Sequence, residues 1–462
     1  MMNFAFYDLE TTGISPAFDQ PLQFAAILTD DEFREIERVN LRCRIAPHII
    51  PSPWALAVTG VRPAQLTDPA LPTLFEFTQA IGTLIERWSP AIWTGFNSIR
   101  FDEEMLRQAF YQNLQPDIFA TQFHGNTRFD ILTALYAVCY CQPDLFDWPV
   151  DADGRVRFKL DRIAPLNGFA AHNAHDALGD VEATIHIARH IAQHAPALWS
   201  ELLANRDKAH VQANLETFKP MALVERFGGG LPRATVGCFC GTSASNPNQA
   251  AFFDLDAADP ADLLTADNAA VFAAVDATPK VIRAFSINKS PALLPVAALN
   301  AEQVRRAEMI AQAPEFRTRV GQALAARFPE DPAAPTPPVE KQIYGGFYSH
   351  ADKALLAEFQ RADWRRREKI VATLADPRLR QLGRRLVAFH APGLLSAEER
   401  GQFEGWLQER WSAPDIPETG WTTRDRSRTA LDEMRIDDGL DQALVAEIAT
   451  YLQRFDLPDF QL

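Results

Sequence analysis

The chain has 462 residues, 47% of them hydrophobic and 23% charged, which excludes a largely disordered protein and leaves room for two or three domains. Lys and Arg number 45 against 60 Asp and Glu, a net charge of -15 that taken alone disfavours a nucleic-acid partner, because phosphates are repelled by an acidic surface. The excess is uneven: residues 1–200 carry 24 acids and 14 bases, 201–350 carry 16 and 14, and 351–462 carry 20 and 17.

The N-terminal ten residues have no basic stretch and already contain Asp8 and Glu10, unlike a signal peptide. No apolar run approaches the roughly 20 residues of a membrane span. A soluble, cytoplasmic protein with no membrane partner is expected. Short apolar or alternating runs at 3–9, 22–29 and 39–45 read as three adjacent strands. Residues 73–88 repeat apolar side chains at helical spacing, 91–96 reads as a buried strand, and Asp102 opens a second amphipathic helix. A longer helix is expected over 176–192. This order defines an α/β region with a mixed sheet.

From about 200 to 340 the pattern changes to short strands cut by Gly, Pro and Asn, at 227–230, 236–240, 251–255 and 280–287, which suggests a small β-rich barrel with some helices. Pro329, Pro332, Pro335, Pro337 and Pro338 mark a stiff connector. Helices are then expected at 352–374, 378–389, 397–411 and 442–455, forming a helical bundle. The five cysteines (Cys43, Cys139, Cys141, Cys238, Cys240) are odd in number, and the two Cys-x-Cys pairs are too closely spaced for a zinc site. Buried free thiols are the expectation.

Three segments can carry chemistry. Asp8 and Glu10 stand two apart at the end of the first strand and so project from one face. Two such carboxylates repel unless a cation lies between them, and oxygen ligands suit Mg²⁺ or Mn²⁺; the simpler alternative is an ordinary turn with solvated acids. Asp102 follows a buried strand, where an N-cap is the structural alternative, with Glu103 and Glu104 as rivals for a metal role. Asp180 precedes Val181 and can face the sheet. His175, five residues earlier, has the pKa range to take a proton from water, with His172 and Asp176 competing. His186, His190 and His194 also line up at i, i+4 and i+8, but share their face with Glu182, Arg189 and Gln193 and read as a solvated polar stripe.

Taken together, Asp8, Glu10, Asp102, His175 and Asp180 resemble the His-containing branch of the DEDD exonuclease superfamily. The stretches Tyr7–Gly13, Pro16–Pro21, Gln23–Ala26, Phe101–Glu104, Asn173–Ala177, Ile287–Pro291 and Tyr344–Ser349 are similar to the bacterial exonuclease I family. The resemblance implies a ribonuclease-H-like exonuclease domain at 1–195, an SH3-like middle domain at 196–345 and a helical domain at 346–462. It implies 3′-to-5′ removal of nucleoside 5′-monophosphates from single-stranded DNA, in repair and recombination, with two Mg²⁺ ions (Mn²⁺ as substitute) on Asp8, Glu10, Asp102 and Asp180, and His175 as base. It implies substrate contacts at Glu10, Thr11 and Lys159. It also implies a monomer that binds the acidic tail of single-stranded-DNA-binding protein, with Lys219 and Arg233 as candidate anchors. The basic runs 361–369, 378–385 and 424–428 are candidates for the DNA backbone or, equally, solvated helix faces. A proofreading or RNA-trimming relative is the alternative enzyme, disfavoured by the extra 260 or so residues; a non-catalytic adapter is disfavoured because all five site positions carry reactive residue types.

Overall fold

The computed structural model describes residues 2–169, 176–327 and 335–456. A sheet of order β3-β2-β1-β4-β5 organises the first region. Strands β1 (Asn3–Thr11), β2 (Pro21–Thr29) and β3 (Glu35–Arg42) are antiparallel neighbours, while β4 (Ala91–Gly95) runs parallel to β1 and β5 (Thr127–Asp130) parallel to β4. Alternation along β1 sends Ala5, Tyr7 and Leu9 into a core with the helices Leu74–Trp88 and Asp102–Gln112. Phe4 and Phe6 point the other way, into a core with the helices Ile131–Cys141 and Ala177–His194. Helices on both faces of a mixed sheet are the architecture expected from the sequence.

The third strand lies earlier than its apolar residues suggest, at Glu35–Arg42 rather than 39–45. It is an edge strand, and Glu35 and Arg38 sit in solvent, where Arg38 pairs with Glu35 and with Glu182 (2.8 Å). Charge there hides the strand from a hydrophobic pattern. Strand β5, of four residues, is too short to show one.

In the middle region, helices Pro196–Ala204 and Lys208–Glu216 lead into β6 (Met221–Glu225), followed by β7 (Arg233–Thr242), β8 (Gln249–Asp254), β9 (Ile282–Ser286) and β10 (Leu293–Pro295). All pairings are antiparallel, in the order β10-β6-β7-β8-β9. The expected strand at 227–230 is instead the turn joining β6 and β7. Gly228 there adopts φ +59°, a conformation glycine takes without strain. Cys43, Cys238 and Cys240 are buried free thiols as expected, and burial pushes Cys238 up to about 12. Cys139 is only half-buried and Cys141 is exposed at a helix end.

The C-terminal region is helical. The single helix expected at 352–374 is two, His350–Arg361 and Trp364–Thr373. Asp363 breaks the run and caps the second by accepting from Arg366 N–H. Helices Pro377–His390, Ala397–Trp411 and Gln442–Leu452 follow the sequence expectation, and Arg424–Arg435 adds one that its charge had disguised. Leu356, Phe359, Ile370, Leu382 and Leu386 share one core with Phe75, Phe110 and Tyr111 of the first region, so the helical region closes the sheet's outer helices from water. No helix among the described residues is long and apolar enough to cross a membrane.

Candidate active site

The face of β1 that carries Phe4 and Phe6 continues as Asp8 and Glu10, so one row of side chains changes from core to carboxylate where the strand leaves the apolar interior. Helix Ala177–His194 packs Val181, Ile185 and Ala188 against this side and so brings Asp180, in its first turn, over the strand end. Ligand oxygens of Asp8, Glu10 and Asp180 all lie within 4.8 Å of one another. Asp102 is the first residue of its helix, 4% exposed, and its Oδ1 accepts from Leu9 N–H at 3.2 Å, which fixes it beside the same strand. The four expected carboxylates are therefore brought to one end of the sheet.

Their electrostatics follow from crowding. Burial raises Asp8 well above the ordinary aspartate value, and Asp102, Asp180 and Glu10 raise it further. Burial and Asp180 push Glu10 up to about 9, and Asp102 is raised to about 8, mainly by burial. Four acids in this arrangement cannot all ionise without a compensating cation. An all-oxygen donor set of this spacing fits a hard divalent ion such as Mg²⁺ or Mn²⁺.

The rivals have other work. Glu103 is 1% exposed and takes Tyr7 Oη (3.0 Å), Thr121 Oγ1 (2.7 Å) and Arg107 (2.8 Å), with Arg128 at 3.5 Å. Burial alone would raise it, but the two guanidiniums hold it below the usual glutamate value. Glu104 receives Tyr344 Oη and Arg107 (3.3 Å) and lies 4.0 Å from Lys289. Asp176 Oδ1 accepts from Gln23 Nε2 (2.7 Å) and Arg42 Nη2 (3.1 Å), which ties the start of the Asp180 helix to β2 and β3. His172 and His175 lie outside the described residues.

Thr11 ends β1, buried, with Oγ1 donating to Gly13 O at 2.7 Å. Lys159 is exposed just before helix Leu160–Leu166 and forms no ion pair among the described residues. Lys219 and Arg233 are both exposed but not together: Met221 pairs with Gly237 and Glu225 with Arg233, so they occupy opposite ends of the β6–β7 ladder, about 20 Å apart at strand rise. The three histidines His186, His190 and His194 donate to Asn167 O, Leu145 O and His190 O respectively, which removes the common focus a zinc ion needs.

Much of the basic sequence is structural. Arg367 stacks on Phe75 (4.6 Å) and Trp364 (4.5 Å), Arg378 pairs with Asp376 (2.6 Å), and Arg385 and Arg410 flank the buried Glu340 at 3.0 and 3.2 Å. Arg365, Lys369 and Arg384 remain exposed and without ion pairs among the described residues. Asp130 is a residue that sequence reasoning missed. Buried and raised to about 6 by that burial, it accepts from Asn97 N–H and Ile99 N–H (both 3.1 Å) and caps the helix after it, so it shapes the loop that delivers Asp102. Only the Asp-before-helix signal of an N-cap could have found it.

A carboxylate quartet at the end of the first strand of a mixed sheet, two of its members brought by helix N-termini, is a donor set for divalent metal ions of the kind a nuclease uses. Residues 5–188 match the family model described as "Exonuclease", and residues 337–455 match the exonuclease I C-terminal domain. The chain belongs to the exodeoxyribonuclease I family. It is 30% identical to exodeoxyribonuclease I of Escherichia coli over 88% of this chain and 89% of that protein, and 31% identical to the Haemophilus influenzae protein over 77% and 79%. Among solved structures it is similar to E. coli exonuclease I in complex with a dT13 oligonucleotide (TM-score 0.83, 27% identity, 98% of this chain and 100% of that one). A moderately thermophilic exonuclease I from Methylocaldum szegediense superposes equally well, with TM-score 0.83, 25% identity and the same two coverages.

Proposed function

We propose that this DNA exonuclease degrades single-stranded DNA from the 3′ end, releasing nucleoside 5′-monophosphates. The observation that carries the reading is the meeting of Asp8, Glu10 and Asp180 within 4.8 Å, with Asp102 pinned to the same strand by Leu9 N–H. Asp8, Glu10 and Asp180 would hold one Mg²⁺, and Asp8 and Asp102 a second, with Mn²⁺ as a substitute. Ions held there would supply an activated water and charge neutralisation at the leaving 3′ oxygen. His175 would take the proton of the attacking water, as its place in the sequence five residues before Asp180 suggests. Thr11 and Lys159 are the proposed substrate contacts beside Glu10.

The reading extends to three domains at 1–195, 196–345 and 346–462, a cytoplasmic monomer, and an acidic tail of single-stranded-DNA-binding protein as partner. A tail of about six extended residues is needed to reach both Lys219 and Arg233. End-labelled single-stranded DNA, duplex DNA and RNA, each with and without Mg²⁺, test the function by product size and direction. Asp8→Ala should abolish cleavage with the fold retained; near-full magnesium-dependent activity in that variant would overturn the assignment.

A further inference from the structure

The row of side chains that ends the first sheet does not stop at Glu10. Glu10 stands opposite Gln23 on β2, and Gln23 opposite Arg42 on β3, and residues directly opposite in a sheet share a face. An acid, an amide and a guanidinium therefore line one end of the sheet, on the face that carries Asp8. Asp176 lies across this row. Its Oδ1 accepts from both Gln23 Nε2 (2.7 Å) and Arg42 Nη2 (3.1 Å), so the guanidinium leans in from the edge strand toward Gln23, the neighbour of Glu10. Gln23 is 2% exposed and also donates to Asn40 Oδ1 (2.9 Å), which holds that partner in place.

Arg42 is unlike an ordinary surface ion pair. Arg38, four residues earlier on the same face of the same strand, spends Nε, Nη1 and Nη2 on Glu35 and Glu182. Arg42 makes a single hydrogen bond among the described residues, although a guanidinium carries five N–H donors in a planar fork. Its side chain is 34% exposed and that of Asp176 28%, so the unused donors can be reached from solvent. Its charge is felt at the cluster, where it opposes the rise that burial and the neighbouring acids impose on Glu10. A guanidinium drawn toward the carboxylates, yet hydrogen-bonded to none of the four, is placed for an anion lying between them.

We infer that Arg42 is a further catalytic residue, donating from its unused N–H groups to a non-bridging oxygen of the phosphate under attack. In the hydrolysis a water oxygen bonds to phosphorus and gives up a proton, the bond from phosphorus to the 3′ oxygen breaks, and that oxygen takes a proton. Charge on the three equatorial oxygens at the transition state is what a fork of donors stabilises, and Asp176 fixes the fork beforehand. The inference rests on the proposed hydrolysis and adds a residue whose effect falls on the chemical step rather than on holding the strand.

The test compares full-length wild type with Arg42→Gln, Arg42→Lys, Arg42→Ala and, as a control, Arg38→Gln. Single-turnover digestion of oligo(dT) in Mg²⁺ reads the chemical step, and oligo(dT) affinity in EDTA reads strand binding. Arg42→Gln should slow the step about a hundredfold while the affinity stays within about twofold. Arg42→Lys, which keeps the charge but not the fork, should recover only part of the rate. Added guanidinium ion should restore rate to Arg42→Ala in a saturable manner, which a purely structural defect would not allow. Without DNA, Mn²⁺ affinity of Arg42→Gln, read by electron paramagnetic resonance, should hold or tighten, because a cation beside the ligands is gone. Arg38→Gln should digest at the wild-type rate. An Arg42→Gln rate within about threefold of wild type, absence of guanidinium rescue, or loss of Mn²⁺ binding overturns the catalytic role. A wild-type chain that leaves single strands intact overturns the proposed function, and this inference with it.

Discussion

Replacing Asp8 by Asn should make the metal-free protein more stable while destroying its activity. Among the described residues the side chain accepts no hydrogen bond, so an isosteric amide gives up none of theirs. What it removes is repulsion. Unit charges 4.8 Å apart repel by about 3.5 kcal/mol at an effective dielectric constant of about 20, and Asp8 faces Glu10 and Asp180 at no more than that distance. The cluster already relieves part of this by holding protons, since Asp8 is raised well above the ordinary range and Glu10 to about 9. The remaining gain is roughly 1–3 kcal/mol, or about 1–3 °C in melting temperature for a chain of 462 residues unfolding as one unit. The assay is thermal and urea unfolding in EDTA. Adding Mg²⁺ at a hundred times its dissociation constant should stabilise wild type by about 2.7 kcal/mol and leave the variant nearly unmoved. Destabilisation of Asp8→Asn in EDTA by more than about 1 kcal/mol would refute the reasoning, because the carboxylate would then be serving the fold rather than a cation.

His175→Ala should cost about a hundredfold in rate at neutral pH and His172→Ala little, measured by single-turnover digestion of oligo(dT). Glu340→Ala leaves Arg385 and Arg410 buried without their shared carboxylate and should lower unfolding free energy by about 3–5 kcal/mol in urea titration. His390 is lowered to about 4, chiefly by burial, against about 6.5 when unfolded, so the unfolded chain binds the extra proton between these values. Stability should therefore fall as pH drops from about 6.5 to 4, by up to about 3 kcal/mol from this residue. His390→Phe, which keeps the stacking on Trp364, should flatten that part of the profile.

Where a residue's role depends on local pattern, it was legible in the sequence. Asp8 and Glu10 follow from strand alternation and Asp180 from helical periodicity, and the helix from Leu74 to Trp88 shows the same clear spacing. Roles set by contacts between distant segments were not legible. Nothing local distinguishes Glu103 from Asp102; only the arrival of Tyr7, Arg107, Thr121 and Arg128 makes one a structural anchor and leaves the other to the site. Asp130, Asp176 and Gln23 act through backbone or side-chain groups tens of residues away. The edge strand Glu35–Arg42 and the helix Arg424–Arg435 were obscured for the opposite reason: the strand buries no side chain fully and the helix buries only Ser427, Leu431 and Met434, so few apolar residues mark either element.

The same distinction resolves the conflict between a net charge of -15 and a DNA substrate. A count of charges treats every arginine as available to solvent, but Arg367, Arg378, Arg385 and Arg410 are all less than 10% exposed and are spent on aromatic rings, Asp376 and Glu340. The acidic excess is likewise not spread evenly, since the quartet at Asp8, Glu10, Asp102 and Asp180 is a demand for cations rather than a repulsive surface. Binding of a polyanion would then draw on exposed cations, for which Lys289, Arg365, Lys369 and Arg384 are candidates, and on aromatic surface that needs no charge at all. On this account the affinity for single strands should persist at salt concentrations that abolish purely electrostatic binding, because the stacking part is not screened.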